Sequence, residues 1–501
     1  MPVTSRLRAV LLAAAMLTPA GLAHADPTAE QATALEQQIH GWLANLLGPN
    51  VPIAAKPVRV TAEGDHFAFA IDVAGKIGDG GPVISGPPAT AAAKPLDGGK
   101  WDVSSVNLPS PLRVELPEID ANLPRSWGIK IAQQSLKGVF DPSLATPTTL
   151  DGELRDYTQI TENKDGSTTT HMAHYTGHTL WQPAGDGRVD ALSEGHVEGL
   201  TSNAALPGGK KATFSIDKIS TAASASGLSF AQAGVVIHSA LQSLPSVMAQ
   251  AKAAKQTPGS SPTLSPADRA TAHAAMAALR DMTSGMEARY ALEGLKMNAS
   301  GVNVTLAKMT FGSGIGAPGG RLDMHMLMTL DGLTSPMIPP GVIASYVPKH
   351  FSIAPRIGGI PAADVMALID HAIDSDGSDE DQGRLQEMAI GLLAKGPLVV
   401  GLDDISMDAG PATLKGSLSV KVSSPSTDDM VGEAVFTMTG MDELIHQTNT
   451  TPELKQAAPV LIFLKGIGKQ IPAGMVWNVS YADNKVMVND TDLSGMLPAG
   501  K

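Results

Sequence analysis

The chain has 501 residues, no cysteine and a formal net charge of −13, with 43% hydrophobic and 4% aromatic residues. The hydrophobic share excludes wholesale disorder. The lack of cysteine excludes disulfides, thiolate chemistry and a cysteine-borne lipid, and the acidic balance disfavours nucleic acid and anionic bilayers as partners.

In chain order, Arg6 and Arg8, the apolar stretch Ala9 to Leu17 and the small residues ending in Ala23-His24-Ala25 predict a signal peptide over residues 1–25, cleaved between Ala25 and Asp26. Loss of the two arginines takes the net charge from −13 to about −15. A stretch that short cannot cross a hydrocarbon core, which needs about 20 residues. No later segment is longer, so the mature form is expected without a transmembrane span, in the periplasm or secreted. Leu35, Ile39, Trp42, Leu43, Leu46 and Leu47 form one helical stripe, capped by Thr28 with Gln31 and stopped by Gly48-Pro49. Strict alternation marks strands at Phe67-Phe69-Ile71-Val73, Leu112-Val114-Leu116, Leu322 to Leu330 and Val486-Val488. Turn signals at Lys164-Asp165-Gly166 and Asp483-Asn484 join strands into hairpins, and Ser265-Pro266 opens a helix through Met282.

An internal repeat organises the middle of the chain. Ala184 to Gly208 aligns without a gap to Ala317 to Gly341 at an offset of 133, with ten of 25 positions identical; about one or two would match by chance. Arg188-Val189-Asp190 matches Arg321-Leu322-Asp323, both copies reach Gly-Leu-Thr-Ser, and Pro207-Gly208 matches Pro340-Gly341. Beyond them Phe214-Ser215-Ile216 resembles Phe351-Ser352-Ile353, and the apolar positions of a following helix agree. Joins are expected at Lys255 to Pro266 and at the acidic run Asp374 to Asp381. Leu402 to Met407 echoes Leu292 to Met297 and suggests a partial third copy. The expected fold class is α+β and β-rich, with antiparallel hairpins and interspersed helices in duplicated modules, elongated overall. The expected division is 1–25 signal peptide, 26–149 helix plus β region, 150–260 first module, 261–383 second module and 384–501 divergent partial third module.

Repeated hairpins broken by helices, strand-ending Gly-Leu pairs and the run Trp477 to Val486 resemble the YdgA-like and AsmA-like bacterial envelope proteins, over roughly Leu150 to Met496. The resemblance implies an elongated β-rich envelope protein, some relatives being linked to lipid handling. It carries over no catalytic motif, and AsmA-like proteins usually keep an N-terminal anchor.

The sharpest candidate site is His171, His174, His178, Glu194, His196 and Glu198. With Gly185-Asp186-Gly187 as a three-residue loop, His174 faces Glu198, Thr176 faces His196 and His178 faces Glu194. Imidazoles and carboxylates so gathered are ligand types for zinc or another divalent metal, at about 2.0 to 2.2 Å. The plainer reading is the wet face of a half-buried hairpin. It is favoured by the aligned Ala307, Phe311, Leu327 and Thr329, since a structural metal would recur in both copies. Asp374, Asp376, Ser378, Glu380 and Glu387 do not fit a calcium loop, because Asp379 stands where Gly is needed and Leu385 where Glu is needed. Gly314 to Gly319 matches a dinucleotide fingerprint but precedes a strand. Met324-His325-Met326 with Met328 has copper-ligand chemistry, yet the imidazole points away from the methionines, whose place is core packing.

No linear hydrolase or phosphate-loop motif is present. The expectation is a non-enzymatic periplasmic or envelope protein that binds a lipid, a hydrophobic ligand or an envelope partner on a repeated β surface. Alternatives are a metal-dependent hydrolase or metal-binding protein using the His/Glu hairpin, and a structural envelope assembly factor. No cofactor is expected, a divalent metal at the His/Glu hairpin being the alternative.

Overall fold

The computed structural model describes residues 26–47, 58–76, 82–117, 124–141, 146–164, 166–205, 210–256, 264–338, 346–375, 378–424 and 429–496. The expected signal peptide with Ala25, and the pairs Gly48-Pro49, Pro207-Gly208 and Pro340-Gly341, lie outside these residues. The chain divides into two compact units, Met1–Met286 and Glu287–Lys501. Both are β-rich, antiparallel and interrupted by helices, as the alternation predicts.

The first unit opens on α1 (Ala29–Leu47). Its capping box is formed: Thr28 N–H donates to Gln31 Oε1 at 2.9 Å and Gln31 N–H to Thr28 Oγ1 at 3.3 Å. Ala32, Leu35 and Ile39 of the apolar stripe are buried. Eight strands follow: β1 (Val58–Glu63), β2 (His66–Ile71), β3 (Gly75–Lys76), β4 (Val83–Ser85), β5 (Ala89–Pro95), β6 (Trp101–Asn107), β7 (Leu112–Glu115) and β8 (Ser126–Asp141). Glu36 of α1 accepts from Val60 N–H at 3.1 Å, which occupies part of the outer edge of β1. Pairing runs β1–β2–β5–β6, and both β6 and β7 pair with β8, near its two ends. The Phe67 and Trp101 rings meet at 5.8 Å, beside buried Val58, Val103 and Phe140.

Between β6 and β7 the edge of β8 is completed by side chains. Leu108 N–H donates to Gln134 Oε1 and Gln134 Nε2 to Leu108 O, both at 2.9 Å. Ile131 N–H donates to Ser110 Oγ at 2.8 Å, and that hydroxyl donates to Ile131 O at 3.0 Å.

A meander of long strands continues from β8: β9 (Thr146–Asn163), β10 (Gly166–Gly185), β11 (Arg188–Ala205) and β12 (Lys211–Leu228), each paired with the next. A helix pair follows, α2 (Phe230–Gln256) and α3 (Pro266–Met282). The join expected from Lys255 is shorter than composition suggests, since Lys255 and Gln256 still belong to α2 and Pro266 opens α3. Ser265 caps α3, accepting from Asp268 N–H at 3.2 Å.

The second unit begins within β13 (Gly285–Ala299) and continues with β14 (Val302–Gly316), β15 (Arg321–Asp331) and β16 (His350–Pro361). After the helix pair α4 (Ala362–Asp374) and α5 (Asp379–Ala394) come β17 (Leu398–Ala409), β18 (Ala412–Val422) and β19 (Met430–Thr439). Then α6 (Met441–Thr450) and α7 (Ala458–Ile467) precede β20 (Lys469–Ile471), β21 (Gly474–Ala482), β22 (Lys485–Val488) and β23 (Thr491–Asp492). Each strand from β14 to β18 pairs with its successor, β19 pairs with β21, and β20 adds to β21. Asp483 and Asn484, with φ of 50° and 56°, make the expected two-residue turn from β21 to β22. Part of the acidic run is not linker. Asp379, Glu380 and Asp381 fill the first turn of α5, where Ser378 caps and the macrodipole favours negative charge.

Two arginines 133 residues apart make matching contacts. Arg188 donates from Nη1 to Gly227 O at 2.7 Å and from Nη2 to Asp281 O at 2.9 Å. Arg321 donates from Nη1 to Gly359 O and from Nη2 to Lys395 O at 3.0 Å. Each guanidinium ties the end of a strand to the end of the helix pair that follows it. Gly199 (φ 62°) lies over Ala173, and Gly332 (φ 65°) over Ala307; an added Cβ would come within 3.0 and 2.8 Å of those methyl groups. The glycines are 133 residues apart and the alanines 134. By register, therefore, His174 corresponds to Lys308 and not to Ala307, because the gapless alignment does not extend back through the turn. Both take an acid as cross-strand neighbour, Glu198 and Asp331.

Candidate functional site

The β10–β11 register is the expected one, with His174 opposite Glu198, Thr176 opposite His196 and His178 opposite Glu194, but the expected three-residue loop is a two-residue turn at Asp186-Gly187: Gly185 pairs with Arg188, and an irregularity between Pro183 and Gly185 restores the register. On the other side of β10, β9 adds Asp151 opposite His178, Glu153 opposite Thr176 and Arg155 opposite His174. The imidazoles turn to these groups. His178 Nδ1 lies 2.7 Å from Asp151 Oδ1, and His174 Nε2 lies 3.0 Å from Glu153 Oε1, with Glu198 Oε2 at 3.7 Å from Nδ1. His171 Nε2 stands 3.6 Å from Asp156 Oδ1, and His196 Nδ1 is 3.2 Å from Ser220 Oγ. Glu194 lies across from Ala222 on β12. Hydrogen bonds from His174 and then Arg155 hold the Glu153 carboxyl below the usual carboxylate range. Among the described residues no three His, Cys, Asp or Glu side chains converge as metal ligands. The face brings the expected residues together but not onto one centre: His174, part-buried, lies between Glu153 and Glu198, Glu153 is shared with Arg155, and His178 pairs separately with Asp151, exposed contacts of that kind being worth little in water.

The reverse face of these strands packs differently. Gly152, Gly177 and Gly195 stand opposite one another across β9, β10 and β11. The ring of Tyr175 lies where a Gly177 side chain would be, so the small residues seat it flat on the sheet. Leu154, Met172, Val197 and Leu200 are buried alongside.

In the second unit one sheet face is apolar over a far wider span. Register places Phe311, Met328, Ile353, Ile405, Gly416, Phe436 and Trp477 in one row across seven strands. A neighbouring row on the same face is Met309, Leu330, Phe351, Met407, Leu414, Met438 and Met475. A third runs through Ile315, Met324, Ile357, Val400 and Val420. The register shift in β17 around Asp403-Asp404 keeps Val400 and Ile405 on one face despite their odd spacing. At the β21 end the face is closed by α6 and α7: Met441 joins the core with Met475 and Trp477, Leu461 and Leu464 pack on it, and Trp477 Nε1 donates to Leu464 O at 2.8 Å. Across β14 to β17 it is open beside the long rows. Ile315 (47%), Met326 (46%), Ile357 (40%) and Val400 (41%) are exposed. His325 is on the other face, opposite Gly314 and Arg356, consistent with its expected separation from the methionines.

That other face is polar and holds a constellation that pattern reading missed. His350 Nδ1 is 2.6 Å from Asp331 Oδ1, and its Nε2 is 3.2 Å from Ser406 Oγ. Ser352, opposite Ser406, donates instead to Asp404 Oδ2 at 2.7 Å. The strand ends beside Asp331 and His350 border a cleft of about 520 Å³ lined by Gly332, Leu333, Thr334, Val347, Pro348, Lys349, Gly410, Pro411 and Gln447. Nothing local marks Ser406, which lies between Ile405 and Met407 and 56 residues from His350.

Comparison with known proteins returns no matching family model, no matching curated protein and no matching solved structure.

Proposed function

We propose that this is an exported envelope protein whose open apolar sheet face holds the acyl chains of single lipid molecules. One observation carries the reading: the Met, Leu, Ile and Phe rows cross seven strands, and beside them on the same face Ile315, Met326, Ile357 and Val400 of β14 to β17 are exposed. At about 4.8 Å per strand such a row spans roughly 29 Å, close to the ~30 Å of a bilayer's hydrocarbon core. Exposed apolar surface of this extent is unusual on a protein that functions alone in water. Unbranched Met side chains adapt to chains of varied length, and the net charge of −13 favours neutral or zwitterionic headgroups over an anionic surface. The matching Arg188 and Arg321 contacts and the two glycine-over-alanine contacts support an origin of the modules by duplication, in keeping with the AsmA-like resemblance. A metal-dependent hydrolase at the His/Glu hairpin has less support, because its imidazoles pair with separate acids.

The test is native mass spectrometry with lipid extraction on protein purified from its own host, repeated on Met328→Glu, a charge placed in the central row. Co-purified lipid on the wild type and its loss from the folded variant is expected. Wild-type protein free of lipid, and unable to take up a fluorescent fatty acid, overturns the reading.

A further inference from the structure

We propose that Asp331, His350 and Ser406 form a nucleophilic relay that hydrolyses small carboxylic esters. The inference stands apart from lipid binding, since Ser406 alternates with Ile405 and Met407 and so faces the opposite side of the sheet. The three groups lie in the order that ester cleavage needs. Asp331, at 2.6 Å, accepts the Nδ1 proton of His350 and so leaves Nε2 as the acceptor for the Ser406 hydroxyl at 3.2 Å. Three adjacent strands, β15, β16 and β17, supply one group each, so the sheet ladder fixes the spacing. Ser406 is buried at 8% while the His350 side chain is 35% exposed, which sets the approach past the imidazole edge. The cleft at the same strand ends is lined by Gly332 and Lys349, the chain neighbours of Asp331 and His350, and by none of the three groups themselves, so the ester reaches toward it without lodging in it. Lys415 stands opposite Ser406 on β18, and its ammonium is the cation nearest in register to the developing oxyanion. Ser352 is excluded as nucleophile because its hydroxyl is committed to Asp404.

In the first half, Ser406 Oγ bonds to the carbonyl carbon while its proton passes to His350 Nε2. The tetrahedral adduct collapses, the C–O bond to the alcohol breaks, and the alcohol leaves with the Nε2 proton. In the second half, water adds to the acyl–Ser406 ester with His350 as base. The acid leaves, Ser406 regains its proton, and one water is consumed per ester cleaved, with no change of oxidation state.

The full chain is tested with p-nitrophenyl butyrate for turnover and with a fluorophosphonate for covalent labelling, the label located by peptide mass mapping. Wild-type turnover above background, a label on Ser406, and a fall of about 100-fold or more in Ser406→Ala and His350→Gln are expected. Ser352→Ala should keep both label and turnover. Unchanged turnover in Ser406→Ala, a label on any other residue, or no label and no turnover in the wild type overturns the proposal. Should Ser406→Ala not fold, the labelling site on the native chain decides.

Discussion

The carboxamide of Gln134 hydrogen-bonds both the N–H and the C=O of Leu108, at 2.9 Å each, and so completes the ladder where β6 has ended and β7 has not begun. Removing it leaves two part-buried backbone groups without partners. Gln134→Ala is expected to cost about 1–3 kcal/mol, read as a lower urea midpoint. Gln134→Glu keeps the acceptor and loses the donor, and should fall between the two. An unchanged midpoint for Gln134→Ala would show that water replaces the amide freely.

Arg188 and Arg321 each bridge two carbonyls from two separate nitrogens of one rigid fork, which an ammonium lacks. Arg188→Lys should speed amide exchange in the last turn of α3 and leave α5 protected, while Arg321→Lys should do the reverse. About 1–3 kcal/mol of local protection is at stake in each. Equal loosening of both helix pairs by either variant would contradict the assignment.

Gly199 and Gly64 separate backbone strain from crowding. Their φ values are 62° and 60°, but an added Cβ meets Ala173 at 3.0 Å in the first case and open space in the second. Gly64→Ala should cost about 1–2 kcal/mol from the left-handed conformation alone. Gly199→Ala should cost about 1–3 kcal/mol more from overpacking, and Ala173→Gly in the same chain should recover part of that excess. Thermal melts of the four proteins check it.

Acid should weaken the second unit through Asp323. Its hydrogen bond from Arg356, 2.6 Å from Nη2, holds the carboxyl below its ordinary value of 3.8, with the nearby positive charge adding to the effect. Because the folded value is depressed, the stabilisation is full above about pH 4 and is lost as pH falls through the lower folded value. Asp323→Asn should therefore flatten the stability–pH curve below pH 4 and lower its plateau above. A curve parallel to wild type would remove the pair from the account.

What pattern reading recovers here is what local chemistry decides. Thr28 and Gln31 cap α1 because both partners lie within one turn; the β10–β11 register is the expected one for a different reason, since the turn is the two-residue Asp186-Gly187 and an irregularity between Pro183 and Gly185 restores the pairing that a three-residue loop would give. The nearest acidic partners of His174 and His178, Glu153 and Asp151, come from β9, so reading the hairpin alone overstated how far the imidazoles would gather on one ion. In the acidic run, charge density suggested a solvated join, yet Ser378 turns the same residues into a helix start. Asp331, His350 and Ser406 were illegible because their approach depends on two strand pairings, β15–β16 and β16–β17, the second between strands separated by a helix pair, and neither leaves a spacing rule in the sequence.

The meander from β8 to β12 bears on how the chain folds as it is synthesised. Every one of these strands pairs with its immediate predecessor, so each new strand closes a loop of only a few residues before it gains its ladder. Low sequence separation between partners favours fast assembly. The cost is a bare strand edge at every stage, a template for misassociation until the next strand arrives. Growth one strand at a time lets a partly made polypeptide hold native structure behind its advancing end.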